Sequence, residues 1–199
     1  MLKYEKPNPC RAASESQRLE EKLMTRIHTS EIREACSRLR AGDVVLLSGK
    51  IYTARDAAHK KIFKIYRDNP EQMPFLLKDS IIAYIGPTQA KPGMPIGSCG
   101  PTTSSRMDPY APSLYDAGMA ACIGKGDRSP AVYEAIRRSG GVYFSAIGGA
   151  GALYAEHVLS CRVLAYEELG CESVKELEIS DFPLYVAIDS LGGSIFART

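Results

Sequence analysis

GVYFSAIGGAGALYAEHV (141–158), with RVLAYEEL (162–169) and PLYVAIDSLGGSIF (183–196) after it, decides the fold. GVYFSAI is an apolar run of strand length, and GGAGALYAEHV reads as a helix opened by glycines. The two later stretches are strand-like, with no helical period between them. Upstream, strands and helices alternate. A chain that alternates early and gathers strands late predicts a layered α/β or β/β/α domain, rather than a purely doubly wound one.

Working outward, VVLLSG (44–49), DSIIAYIGP (79–87) and MAACIG (119–124) read as buried strands closed by glycine. Ser30-Glu31 starts a helix carrying Ile32, Ala35, Cys36 and Leu39, with Ala41-Gly42 as its end. KIYTARDAAHKKIFKIYRDNP (50–70) carries the stripe Ala58, Ile62, Ile65, Tyr66, and Asn69-Pro70 stops it. SLYDAG (113–118) reads as a helical turn. SPAVYEAIRRSGG (129–141) reads as a helix capped by Ser129, with Pro130 at its first position. Residues 1–25 read as an arm, with a short helix over Ser16–Met24, ahead of one compact domain over 26–199.

A chain of 199 residues buries roughly 70% of its unfolded surface as one domain, so it needs no disulfide or metal to stand. Its net charge of +2 gives no concentrated basic face, which argues against nucleic acid. No apolar run approaches the roughly 20 residues of a membrane span, and the amino terminus lacks the apolar centre of a secretory signal. A cytoplasmic location is expected. The six cysteines, at 10, 36, 99, 122, 161 and 171, form no CxxC and match no ferredoxin spacing, so they read as reduced thiols.

GKGDRS (124–129) resembles a phosphate loop but fails the Walker pattern twice, at Met119 and Gly126. GGAGALY (148–154) approaches the dinucleotide fingerprint, yet Tyr154 stands where a third glycine belongs, and close backbone packing explains the glycines as well. In TARDAAH (53–59), Arg55 and His59 share a face if the helix begins at or before Arg55. A guanidinium beside a helix amino terminus can hold a carboxylate, whereas the bland reading of His59 is a satisfied, partly buried imidazole.

GPTTSSRMDPYAP (100–112) places Thr102 and Arg106 four apart, side by side on one turn of helix. Its other hydroxyls, Thr103, Ser104 and Ser105, read as turn formers. A hydrolase triad using one of these hydroxyls with His59 or His157 is an alternative, although the chain has no G-x-S-x-G elbow. Arg55, Arg106 and Lys125, on three loops after strands with few acids beside them, suggest a dianionic ligand. A dicarboxylate and a phosphate fit equally.

SGKIYTARDAAHKKI (48–62), YIGPTQAKPGMPIGSCGPTTSSRMD (84–108), IGKGDRSP (123–130) and VAIDSLGGSIF (186–196) resemble the β subunit, or carboxy-terminal domain, of class I iron–sulfur fumarate hydratases and of the related L(+)-tartrate dehydratases. The resemblance spans about residues 26–197. It implies a swivelling β/β/α domain and a hydro-lyase that hydrates fumarate reversibly to (S)-malate. It also implies a partner α subunit carrying a 4Fe–4S cluster, with an active site between the two chains in an α2β2 assembly. Carried over by position, it makes Thr102 the base that removes the carbon-bound proton of malate, and gives Arg55, Arg106 and Lys125 the substrate carboxylates. KIYTARDAAH looks like the fumarase version, because tartrate dehydratases tend to carry TCR in place of TAR. A non-catalytic dicarboxylate-binding or scaffold subunit is the alternative of a different class.

Overall fold

The computed structural model describes residues 24–196. They form seven strands and five helices, of which five strands and four helices alternate through the first two-thirds: β1 (Met24–His28), α1 (Ile32–Arg38), β2 (Val44–Thr53), α2 (Asp56–Asp68), β3 (Ile81–Ala83), α3 (Ala111–Asp116), β4 (Ala121–Gly124), α4 (Pro130–Ser139) and β5 (Val142–Ser145). They continue as α5 (Gly151–Glu156), then β6 (Val158–Ala165) and β7 (Val174–Ile188) with only a 3-10 turn, Glu167–Glu172, between them.

All seven strands join one sheet, in the order β1-β2-β3-β4-β5-β7-β6. β1 to β5 run parallel, and β7 is antiparallel to β5, β6 and β2. Because β7 pairs with both β5 and β2, the strands β2, β3, β4, β5 and β7 close into a ring, with β1 and β6 attached outside it. The expected layered α/β domain is therefore present as a single mixed sheet with helices.

The side-chain period of two divides the core. Ile81, Ala83, Ile123 and Phe144 join one buried cluster with α1, β2 and β7 residues, whereas Ile82, Tyr84, Cys122 and Tyr143 join a second with α2, α3 and α4. Burial on both faces is why these strands read as continuous apolar runs.

Several expected boundaries move. β2 runs on past VVLLSG through KIYT (50–53), and α2 begins at Asp56 with Arg55 as its N-cap, where the helix start was expected. DSIIAYIGP contributes just three strand residues. PLYVAID belongs to a strand of fifteen residues that starts at Val174. Ser129 holds the N-cap position of α4, with extended backbone, but its side chain makes no capping bond; Gly140 ends that helix in the left-handed region at φ 67°. The arm expected over 1–25 and its helix lie outside the described residues, except Met24 and Thr25, which open β1.

Candidate active site

The candidate residues gather where four neighbouring parallel strands end. Arg55 follows β2, Gly86 follows β3, Lys125 follows β4 and Gly148 follows β5. The carboxyl ends of parallel strands are the usual place for a ligand in such sheets.

Ala54 N–H still bonds Ala83 O, so the β2–β3 ladder carries the chain to Arg55, the N-cap residue of α2. The Arg55 guanidinium lies against Gly86: a Cβ there would sit 2.9 Å from Arg55 Cδ and Nη1 and 3.2 Å from Cys171 O, so a side chain at 86 would displace the arginine. Arg55 Nη2 is 3.4 Å from Glu172 Oε1, and Glu172 Oε2 accepts the Ala57 N–H of the first turn of α2 at 3.1 Å.

The GPTTSSRMD loop returns between β3 and β4 once those strands separate. Thr102 N–H donates to Tyr84 O at 2.7 Å, Lys125 N–H to Thr102 O at 3.2 Å, and Ser104 N–H to Lys125 O at 2.9 Å. Thr102 is thus fixed by main chain to the two strands it separates, and backbone bonds set its relation to Lys125. The expected helical turn pairing Thr102 with Arg106 is corrected here. The 3-10 turn starts at Ser104, beyond Thr102, and Arg106 Nε reaches Asp56 Oδ1 at 2.8 Å. Lys125 lies over Gly148, where a Cβ would be 3.7 Å from Nζ.

Beneath the loop sits a buried cation that the sequence reading missed. Arg128, with a fully buried side chain, donates from Nε to Asp108 Oδ1 at 2.7 Å and lies between the rings of Tyr84 and Tyr143. Asp108 Oδ2 accepts Ser129 N–H at 2.6 Å, Ser104 Oγ bonds Tyr143 OH at 2.8 Å, and Tyr143 OH donates to Gly126 O. These bonds clamp the Thr102 loop to the Lys125 loop. Gly124 makes room for them, since a Cβ there would lie 2.9 Å from Tyr84 Cδ2 and closer still to Ser104 Oγ.

His59 is fully buried, not partly. Its Nδ1–H donates to Arg55 O at 3.0 Å, while Nε2 is buried without a partner. Burial pushes the imidazole down to about 4, so it is neutral near pH 7. His157 bonds Ser180 O through Nδ1. Among the described residues, neither histidine bonds a hydroxyl of the 102–105 loop, which removes the geometry a hydrolase triad requires. Of the GGAGALY glycines, Gly151 serves packing, since a Cβ there would be 2.8 Å from Gly100 N, whereas Gly149 meets nothing nearby and adopts φ 85°.

Cys36, Cys99 and Cys122 are buried, and burial pushes the Cys36 and Cys99 thiols up to about 12. Among the described residues, no three His, Cys, Asp or Glu side chains are grouped to hold a metal ion. None of the described helices is long and apolar enough to cross a membrane.

The charge balance is clear. Three cations, Arg55, Arg106 and Lys125, face two carboxylates, Glu172 and Asp56, which leaves one net positive charge. Asp108 and Asp127, the other nearby acids in sequence, are occupied by Arg128, Ser129 and Tyr133.

Residues 2–199 match the family model described as the fumarase C-terminus. "Fumarate hydratase 2" of Leishmania major is 38% identical over 172 residues, 85% of this chain and 30% of that protein. "Fumarate hydratase class I, aerobic" of Escherichia coli K12 is 38% identical over 154 residues, 76% of this chain and 28% of that protein. "Putative L(+)-tartrate dehydratase subunit beta" of Methanocaldococcus jannaschii is 42% identical over 165 residues, 80% of this chain and 84% of that one. The chain thus spans about a third of the fumarate hydratases it matches.

Proposed function

The chain belongs to the fumarase C-terminus family, and from that premise we propose that it is the β part of a class I fumarate hydratase, working with an iron–sulfur α chain. The ring of β2–β5 and β7 is read as the swivelling β/β/α domain, in a cytoplasmic enzyme of α2β2 form. The observation that carries the function is the convergence of Arg55, Thr102 and Lys125 at the ends of adjacent parallel strands, with Arg106 tied to the same helix start through Asp56.

A 4Fe–4S cluster on the α chain would supply the Lewis-acid chemistry at the substrate hydroxyl. This chain's residues supply the rest. Arg55, Arg106 and Lys125 hold the two carboxylates of fumarate or malate, and the guanidinium forks orient them. Thr102 Oγ1 takes the carbon-bound proton of malate, or returns it to fumarate. A threonine hydroxyl is a weak base, so its alkoxide must form beside fixed cations and away from water. The Arg106 side chain is 50% exposed in this chain, so a covering surface is required before Thr102 can act. That requirement favours a site shared with a partner.

The test is anaerobic co-expression with candidate α chains and assay on fumarate, (S)-malate and both tartrate enantiomers. Hydration of fumarate by the complex, and none by the lone chain, supports the reading. Turnover of tartrate alone would replace it with the tartrate dehydratase activity named for the M. jannaschii relative.

A further inference from the structure

We propose that Glu172 is a positioning residue for Arg55, a role that rests on the function proposed above. Glu172 lies 115 residues along the chain from Ala57, yet its carboxylate bridges the Ala57 N–H and Arg55 Nη2. It fixes both the start of α2 and the guanidinium that the helix start carries. Arg55 Nε is buried without a hydrogen-bond partner. The guanidinium is therefore not held by a full set of bonds: among the described residues Glu172 is its one ionic partner, and Gly86 packs against its Nη1 end.

The turn bearing Glu172 is built to hold still. Lys175 Nζ donates to Gly170 O at 2.8 Å and to Ser173 Oγ at 2.5 Å, and Ser173 Oγ donates back to Gly170 O. Lys175 N–H bonds Thr53 Oγ1, at the end of the strand that leads to Arg55. Gly170 adopts φ 58° and ψ −115°, a conformation that favours glycine. The turn and the arginine thus share one frame, and the carboxylate is stationed by it rather than free to swing.

Two roles for Glu172 predict opposite signs. If it only weakens the positive field, replacing it with a neutral group draws a dianion in and lowers KM. If it aims Arg55, the same change lets the guanidinium wander and raises KM, because a carboxylate contact common to bound substrate and transition state shows in KM. Glu172→Gln separates the two. It keeps an oxygen to accept the Ala57 N–H, so the helix start survives, but it cannot pair the guanidinium charge.

In the anaerobic complex, Glu172→Gln should raise KM for fumarate about tenfold with kcat changed less, the scale expected when an orienting partner is lost. Glu172→Asp, which keeps the charge with a shorter reach, should fall between, and it carries the test if Glu172→Gln does not assemble. In an Arg55→Ala background, Glu172→Gln should alter KM less than about twofold, since its target is gone. An unchanged or lowered KM, or effects of the two changes that simply add, would overturn the role. Wild-type turnover in the same preparation separates the claims. Its absence overturns the function and this role together, whereas a normal wild type beside an unchanged Glu172→Gln overturns the role alone.

Discussion

Arg106 and His59 show what individual side chains contribute. Arg106 is held by Asp56 through Nε, which leaves the outer nitrogens of its fork for a ligand. Lysine is a single point charge without that planar edge. Arg106→Lys in the complex should therefore lose at least about tenfold in kcat/KM, measured on fumarate under anaerobic conditions. Equal kinetics would remove Arg106 from substrate binding. His59 gives a prediction in pH. Its buried ring, between Tyr84 and Tyr110 with Asp56 and Arg128 nearby, is pushed down to about 4, while an unfolded histidine titrates near 6.5. Between those values the unfolded chain binds the proton and the native one does not, so the contribution is complete above pH 6.5 and lost as pH falls towards 4. Full loss amounts to roughly 3 kcal/mol. Urea unfolding from pH 7 to 4.5 should show this decline, and His59→Asn should flatten it.

At the scale of elements, the loop that carries Thr102 is only as well placed as the clamp below it. Asp108 is the carboxylate opposite a fully buried Arg128. Removing one partner of a buried pair strands the other charge, so Asp108→Ala should destabilise by about 3–5 kcal/mol in denaturant unfolding. Gly124→Ala should cost about 1–3 kcal/mol through overpacking against Ser104 and Tyr84, and adding Ser104→Ala should recover part of it. Elements of this kind were unevenly legible in the sequence. The helices of Ile32 and Ala58 announced themselves by spacings of three and four, and that of Val132 by its Ser-Pro start. The first half of β7, VKELEISDF, did not, because charged residues alternate along a strand paired on both edges and hide its apolar face. The start of α2 at Arg55-Asp56 was legible, whereas the extension of β2 through KIYT was not, although Ile51 and Thr53 are buried while Lys50 is exposed.

For the whole molecule, closing β7 onto both β2 and β5 brings four parallel strand ends together, and this collects cations from separate stretches of chain. Arg55, Arg106 and Lys125 were legible as candidates because each stands in a local motif after a strand, and Thr102 only through the family resemblance. Glu172, Arg128 and Tyr143 were not, since pairs such as Glu172 with Ala57 or Tyr143 with Ser104 exist only once the ring is closed. The same closure leaves the cation cluster open on its outer side, with Arg106 half exposed, and the chemistry proposed for Thr102 requires that side covered. The most direct test is the rate of fumarate hydration by the anaerobic complex with wild-type chain and with Thr102→Val, which keeps shape and removes the hydroxyl. The account predicts that Thr102→Val assembles normally and binds substrate, yet loses at least about a thousandfold in kcat, on the order of 4 kcal/mol. Turnover within twofold of wild type would contradict it and leave the chain as a binding partner without a catalytic group.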